Sequence, residues 1–195
     1  MQRHVKDPYV RKARADGYRS RAAFKLLEVN TRDRLLIPGA RVVDLGAAPG
    51  GWCQVAAKLV GSTGRVVAVD VLEMAPVPGV RFLRGSFLDA DIRARILAEL
   101  GGPADLVLSD MMPNVSGIAS ADQARAAELV LEAIEFCREA LKPDGAFLVK
   151  VFQGGEFAAI YEALKRTFAT VQTRKPAASR GESRETYLLA RGPRP

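Results

Sequence analysis

From residue 41 onward, short runs of β-branched and apolar residues alternate with segments whose apolar positions recur at helical spacing. That alternation predicts an α/β domain, a largely parallel sheet covered by helices on both faces. The strand candidates are Arg41 to Leu45, Arg65 to Asp70, Val80 to Leu83, Ala104 to Ser109, Ala146 to Phe152, Ala169 to Thr173 and Thr186 to Ala190. Helices are predicted over Gly51 to Val60, Asp91 to Leu100, about Ser120 to Leu141, and Glu156 to Phe168. The long one should stop at Lys142-Pro143-Asp144-Gly145, because proline cannot continue a helix and glycine turns readily. An earlier helix is expected from Ser20, as its N-cap, to about Arg32. In an open parallel sheet ligands bind beyond the carboxyl ends of the strands, so chemistry is sought there.

Length and composition narrow this picture. With 195 residues, 48% of them hydrophobic, one core is expected. The reading is a single domain over residues 1–195 that includes a basic N-terminal segment, residues 1–19. No stretch approaches the roughly 18 to 20 apolar residues that span a bilayer, and the N-terminus has no apolar signal core, which points to a soluble cytoplasmic protein. An Arg-rich, acid-poor start would also suit a mitochondrial presequence, but it runs directly into patterned sequence. Cys53 and Cys137 lack CxxC spacing and a nearby histidine, so no metal site and no disulfide are expected.

The net charge of +7 is unevenly spread: residues 1–25 carry +6, residues 170–195 carry +4, and residues 26–169 carry −3. Basic ends around an acidic middle predict a polyanion-binding surface beside a catalytic core. Tyr9, Tyr18 and Phe24, interleaved with the basic residues, are placed to stack on bases.

The first strand runs into Asp44-Leu45-Gly46-Ala47-Ala48-Pro49-Gly50-Gly51-Trp52 and then a helix. Small residues there let a strand turn sharply and a ligand approach the backbone. Asp70 closes the next strand, 24 positions after Gly46, where a carboxylate can accept hydrogen bonds from ribose hydroxyls. A nucleoside-containing cofactor is implied. Ala48 stands where a dinucleotide fold needs its second glycine, and no Lys-Ser or Lys-Thr follows the loop, which argues against NAD and against a Walker loop. S-adenosylmethionine, which has no pyrophosphate to cradle, fits better.

Two charged residues stand out near strand ends. Asp110 follows an apolar run, at the rim where ligands bind. Lys150 interrupts Ala146-Phe147-Leu148-Val149-Lys150-Val151-Phe152, a run with no structural use for a lysine, since an ammonium buried without a partner is costly. Lys25 reads differently. Ala23, Phe24, Leu26 and Leu27 cluster on one side of its helix, so spacing alone makes it a solvated surface lysine. Glu185 is unremarkable on its own, in the Arg-rich stretch from Ser179.

Taken together, Arg19 to Leu26, Asp44 to Trp52, Ser109-Asp110-Met111-Met112-Pro113-Asn114, Val149 to Gly154, and Lys175-Pro176 with Glu185-Thr186-Tyr187 resemble the FtsJ/RrmJ family of ribosomal RNA methyltransferases. The resemblance covers nearly the whole chain. It implies a Rossmann-like methyltransferase fold of seven strands with the last antiparallel, and a Lys-Asp-Lys-Glu catalytic set on Lys25, Asp110, Lys150 and Glu185. It also implies a cofactor site of S-adenosylmethionine on Gly46, Gly50, Trp52, Asp70, Ser86 and Asp110, with S-adenosylhomocysteine as product. The implied reaction is 2′-O-methylation of a uridine in the A-loop of large-subunit (23S) rRNA, within an assembled 50S subunit and by a monomer. Related enzymes acting on tRNA or mRNA caps share the four residues, and a noncatalytic RNA-binding module is a third reading. One departure is Ser86, where relatives carry an adenine-contacting aspartate; a hydroxyl lacks the charge that strengthens such a bond, and Asp89 is a candidate substitute.

Overall fold

In the computed structural model the described residues are 7–112, 116–179 and 184–194. Part of the basic N-terminal segment, the Pro113-Asn114 end of one motif, and part of the stretch before Glu185 lie outside them. The elements run α1 (Pro8–Ala15), α2 (Ala22–Asp33), β1 (Arg41–Leu45), α3 (Gly51–Val60), β2 (Arg65–Asp70), β3 (Val80–Arg84), α4 (Ala90–Leu100) and β4 (Ala104–Ser109). They continue with α5 (Ala119–Ala140), β5 (Leu141–Phe152), α6 (Phe157–Thr167), β6 (Phe168–Arg174) and β7 (Glu185–Pro193).

The seven strands form one sheet in the order β3-β2-β1-β4-β5-β7-β6. The first five pair in parallel, and β7 inserts antiparallel between β5 and β6. Strand order therefore reverses beside β1, and the crevice between the ends of β1 and β4 is the natural ligand position. Alternate strand residues face two separate cores, as the period of two requires. Val43, Leu45, Val107, Phe147 and Val149 pack against α4, α5 and α6. Val42, Leu106, Leu108, Leu148 and Tyr187 pack against α2 and α3.

Three local expectations need correction. Ser20 is not the N-cap of α2; the helix starts one residue later, with Arg21 at the cap position and no side-chain cap bond. Strand β5 begins at Leu141, which pairs with Ala104 before a register shift at Lys142 to Gly145, so the proline-glycine turn is a bulge entering the strand. The N-terminal segment also contains a helix that periodicity did not single out. Its start is well signalled, since Asp7 accepts a hydrogen bond from Tyr9 N at 3.0 Å and Pro8 occupies the first turn.

Candidate active site

The loop after β1 is shaped by its own backbone. Gly46 N and Ala47 N donate to Val69 O at 2.9 and 3.1 Å, Gly50 N donates to Ala47 O at 2.7 Å, and the Ala48–Pro49 peptide is cis. Gly46 has φ +74, and a β-carbon there would lie 2.3 Å from Met111 Cγ, so only glycine fits. Asp70 holds the neighbouring turns: one oxygen accepts from Ala48 N at 2.9 Å and the other from Leu72 N at 2.8 Å. An open cleft of about 390 Å³ results, lined by Gly46, Ala48, Asp70, Leu72, Ser86, Phe87, Asp110 and Met111 among others. That volume suits a nucleoside-sized ligand.

Four of the six residues expected to bind a cofactor thus line one cleft: Gly46, Asp70, Ser86 and Asp110. Gly50 and Trp52 do not. Gly50 turns the chain at φ +104 into α3, whose first-turn N–H groups have no helical acceptor. Trp52 is buried; its indole N–H donates to Ala22 O at 2.7 Å and its ring packs 5.8 Å from that of Tyr187. It fastens α3 to α2. Ser86 Oγ accepts from Leu88 N at 3.2 Å, and Asp89 occupies the N-cap position of α4, outside the cleft lining.

The four residues of the implied catalytic set converge at the rim of this cleft. Lys150 projects from β5 on the α2/α3 side of the sheet and is buried; its ammonium donates to Asp110 O at 2.7 Å and lies 3.2 Å from Asp110 Oδ1. Lys25 Nζ lies 2.5 Å from Glu185 Oε1, joining residues 160 positions apart. Burial pushes the Glu185 carboxyl up, but the hydrogen bond from Lys25 and the attraction of Lys25 and Lys150 outweigh it and hold the group below the usual range.

Lys25 is only 6% exposed, contrary to the surface position that spacing predicts. The helix is covered on a second side by residues 176–179, which belong to no helix or strand. Glu28 accepts from Ala177 N at 2.6 Å and from Ala178 N at 3.1 Å, while Asp33 takes both Arg174 Nε at 2.7 Å and an Arg174 guanidinium nitrogen at 2.6 Å. These clamps press α2 onto the β6–β7 edge and place Lys25 over Glu185.

Tyr187 joins the site although its sequence position gives it no evident role. Its fully buried hydroxyl donates to Asp110 Oδ1 at 2.9 Å and lies 3.4 Å from Glu185 Oε1, bridging the two ion pairs. Burial, reinforced by the Asp110 and Glu185 charges, raises its ionisation well above the ordinary phenol range, so it remains a neutral donor. The signal for it in the sequence is the spacing Glu185-Thr186-Tyr187, which puts the first and third residues on one strand face. Buried Ser179 adds a hydroxyl 3.1 Å from Glu185 Oε1.

Two further groups support the loop. Arg19 donates to Pro49 O at 3.2 Å, Ala75 O at 2.5 Å and Pro76 O at 2.6 Å, pinning the N-terminal segment to the cofactor loop. Asp44 is fully buried; its Oδ2 accepts from Cys53 Sγ at 3.1 Å, while Oδ1 has no hydrogen-bond partner among the described residues. Burial pushes its carboxyl up to about 7.

Phe24 does not serve as a stacking platform. It is 6% exposed and lies at the centre of an internal cluster, with the Tyr9 and Tyr18 rings at 5.8 and 5.7 Å. Arg11, Lys12 and Arg14 on α1 are exposed. Among the described residues no group of three or more His, Cys, Asp or Glu side chains could hold a metal ion, and no helix is long and apolar enough to cross a membrane.

A sheet of this order, with a nucleoside-sized cleft at its switch point and Ala48 where dinucleotide folds need their second glycine, has the Rossmann-like architecture of methyltransferases. The chain belongs to the FtsJ-like methyltransferase family, whose model matches residues 18–193. It is 57% identical over 190 residues to "Ribosomal RNA large subunit methyltransferase E" of Azoarcus sp., covering 97% of this chain and 93% of that one. Among solved structures, a Plasmodium falciparum protein assigned as a ribosomal RNA methyltransferase superposes with a TM-score of 0.76 at 29% identity, covering 90% of this chain and 98% of that one. Aeropyrum pernix fibrillarin, crystallised with natively bound S-adenosyl-L-methionine, shares the fold with a TM-score of 0.59 at 16% identity, covering 89% and 75% of the two chains.

Proposed function

We propose that this methyltransferase transfers a methyl group from S-adenosylmethionine to the ribose 2′-hydroxyl of a uridine in the A-loop of large-subunit rRNA. The reading takes the chain as one cytoplasmic domain, acting as a monomer on the assembled 50S subunit. The observation that carries it is the continuous chain Lys25–Glu185–Tyr187–Asp110–Lys150 beside the cofactor cleft. The similarity to relatives named for large-subunit rRNA supports the substrate, and the basic ends of the chain suit a polyanion.

S-adenosylmethionine supplies an electrophilic methyl on a positively charged sulfur. Asp70 and Ser86 would hold its nucleoside, the backbone from Gly46 to Trp52 its amino-acid end, and Asp110 would stand between cofactor and acceptor. A ribose hydroxyl is a poor nucleophile at neutral pH, so its proton must leave as the new C–O bond forms. Lys150 acts as general base from its neutral amine form: after the ammonium has given one proton to solvent, the lone pair on Nζ takes the hydroxyl proton and the ammonium paired with Asp110 is restored. Asp110, through its carbonyl and Oδ1, fixes where the nitrogen points, and Tyr187 fixes Asp110 in turn. Lys25 and Glu185 orient the acceptor ribose, aligning the hydroxyl with the methyl group.

The test is methylation of 50S subunits and of free rRNA from cells lacking this activity, followed by mass mapping of the modified nucleotide. A new methyl on the ribose of an A-loop uridine supports the reading. A base methyl, or a methyl on tRNA alone, overturns it.

A further inference from the structure

Asp44 is the buried charge for which the site so far has no use. It sits in Arg41-Val42-Val43-Asp44-Leu45, a central strand apolar on both faces, where an acid without a cation is costly. In register it lies between Ala68 of β2 and Leu108 of β4. Asp70 and Asp110, which line the cleft, stand two residues further along those same strands, so Asp44 lies buried behind two cleft carboxylates.

The groups facing Asp44 can be named from every side. Cys53, from α3, donates its thiol hydrogen to Oδ2 and favours the carboxylate; Asp70 and Asp110 oppose ionisation by repulsion. The nearby cations are engaged elsewhere: Arg19 on three backbone carbonyls, Lys150 on Asp110. Oδ1, with no donor among the described residues, completes a site deficient in positive charge.

We propose that Asp44 is a specificity residue that distinguishes the charged methyl donor from the spent product: near neutral pH it is partly held as a neutral acid in the ligand-free protein, and it releases that share of a proton when a cationic donor fills the cleft. On release the carboxyl O–H bond breaks, its electron pair stays on oxygen, and the proton passes to solvent. The product differs from the donor by a neutral thioether in place of the sulfonium, so it draws out less of that proton and is held less tightly. Product release is thereby favoured after each transfer. This inference rests on S-adenosylmethionine being the cofactor.

The test is binding calorimetry at pH 7 in buffers of different ionisation enthalpy, which counts protons exchanged, with S-adenosylmethionine and S-adenosylhomocysteine as ligands. Because burial raises the Asp44 carboxyl to about 7, donor binding should release roughly half a proton at that pH. The donor's amino group, ordinarily titrating near about 8, contributes alike in every variant and cancels in the comparison. Asp44→Asn should abolish this release and reduce the preference for donor over product several-fold. Donor affinity should weaken as pH falls below 7 in the wild type, by at most about tenfold per unit, and Asp44→Asn should flatten that trend. Cys53→Ala is the second variant, should Asp44→Asn fail to fold. It removes a bond that favours the carboxylate, so the pH of maximal release should rise and release at pH 8 should exceed that of the wild type.

Equal proton counts in wild type and Asp44→Asn, or equal counts for donor and product in the wild type, overturn the proposal. So does a Cys53→Ala profile that does not move. Absence of any S-adenosylmethionine binding to the wild type is a different failure: it overturns the cofactor assignment itself and the proposal with it.

Discussion

The cleft beside β1 and β2 and the acceptor rim beside β5 and β7 are built on different principles. The first is held by short-range backbone geometry: Gly46, Gly50 and the carboxylate of Asp70 act within a few residues of one another or across one strand pair. The second is held by side chains distant in sequence: Lys25 meets Glu185 across 160 residues, Arg174 meets Asp33 across 141, and Tyr187 meets Asp110 across 77. A binding site for a common cofactor can be written in one loop, whereas an acceptor site needs charged groups desolvated from several directions. The cofactor side should therefore lose affinity when its backbone is disturbed, and the acceptor side should lose rate when one charge is removed.

The largest effect expected from this contrast is at Lys150. Lys150→Ala should slow methyl transfer by about 10² to 10⁴-fold, the range for loss of a positioned general base, while cofactor affinity stays near normal. Glu185→Ala should cost less, because in the proposed mechanism Glu185 orients the acceptor without exchanging a proton with it. Single-turnover rates at saturating cofactor check both, and equal losses would erase the distinction between base and orienting groups.

RNA affinity separates the two regions again. Arg11, Lys12 and Arg14 are exposed on α1. Neutralising all three should flatten the salt dependence of RNA binding by about 0.7 to 0.9 in slope per lost phosphate contact. Cofactor affinity should not change. An unaltered slope would reduce these residues to a solubilising surface.

On the cofactor side, Gly46→Ala forces a side chain onto φ +74 and into Met111 Cγ, 2.3 Å from the new β-carbon. Left-handed strain alone costs roughly 1–2 kcal/mol, so cofactor binding measured by calorimetry should weaken about tenfold or more. The smallest effect is a gain. Ser86→Asp restores a carboxylate in the cleft lining and should tighten cofactor binding by about 1 kcal/mol if the charge-assisted bond to the adenine forms. Unchanged affinity would mean that another group already occupies that role.

Legibility in the sequence follows the same division. The strand-turn-helix at β1, the acid closing β2 and the strands themselves are visible because their signals are local, periodicity and punctuation. Lys150 is visible because one ammonium breaks an apolar strand. Lys25 is not, because the groups it packs against, Glu185 and the Tyr187 ring, come from a strand 160 positions away that no periodicity of α2 announces; resemblance to a family had to supply it. Phe24 misleads for the same reason: an aromatic among arginines reads as a stacking surface until Ala13 and Ala178 close over it. Trp52 sits where a cofactor contact is expected, yet its side chain is spent on holding two helices together. Asp44 shows the reverse: position alone marks it, an acid inside an apolar strand and just before the cofactor loop, while its lack of a cation among the described residues shows only in the packed structure.

The central claim is that Lys150 removes the proton of the acceptor hydroxyl, and Lys150→Arg tests it most directly. Arginine keeps the positive charge beside Asp110 but does not give up its proton at any working pH. Measured as single-turnover methyl transfer across pH, with cofactor and RNA binding confirmed intact, the variant should be about as slow as Lys150→Ala and show no rising rate with pH. Substantial activity in the arginine variant would contradict the claim and make Lys150 a fixed charge that holds Asp110 and the ribose in place.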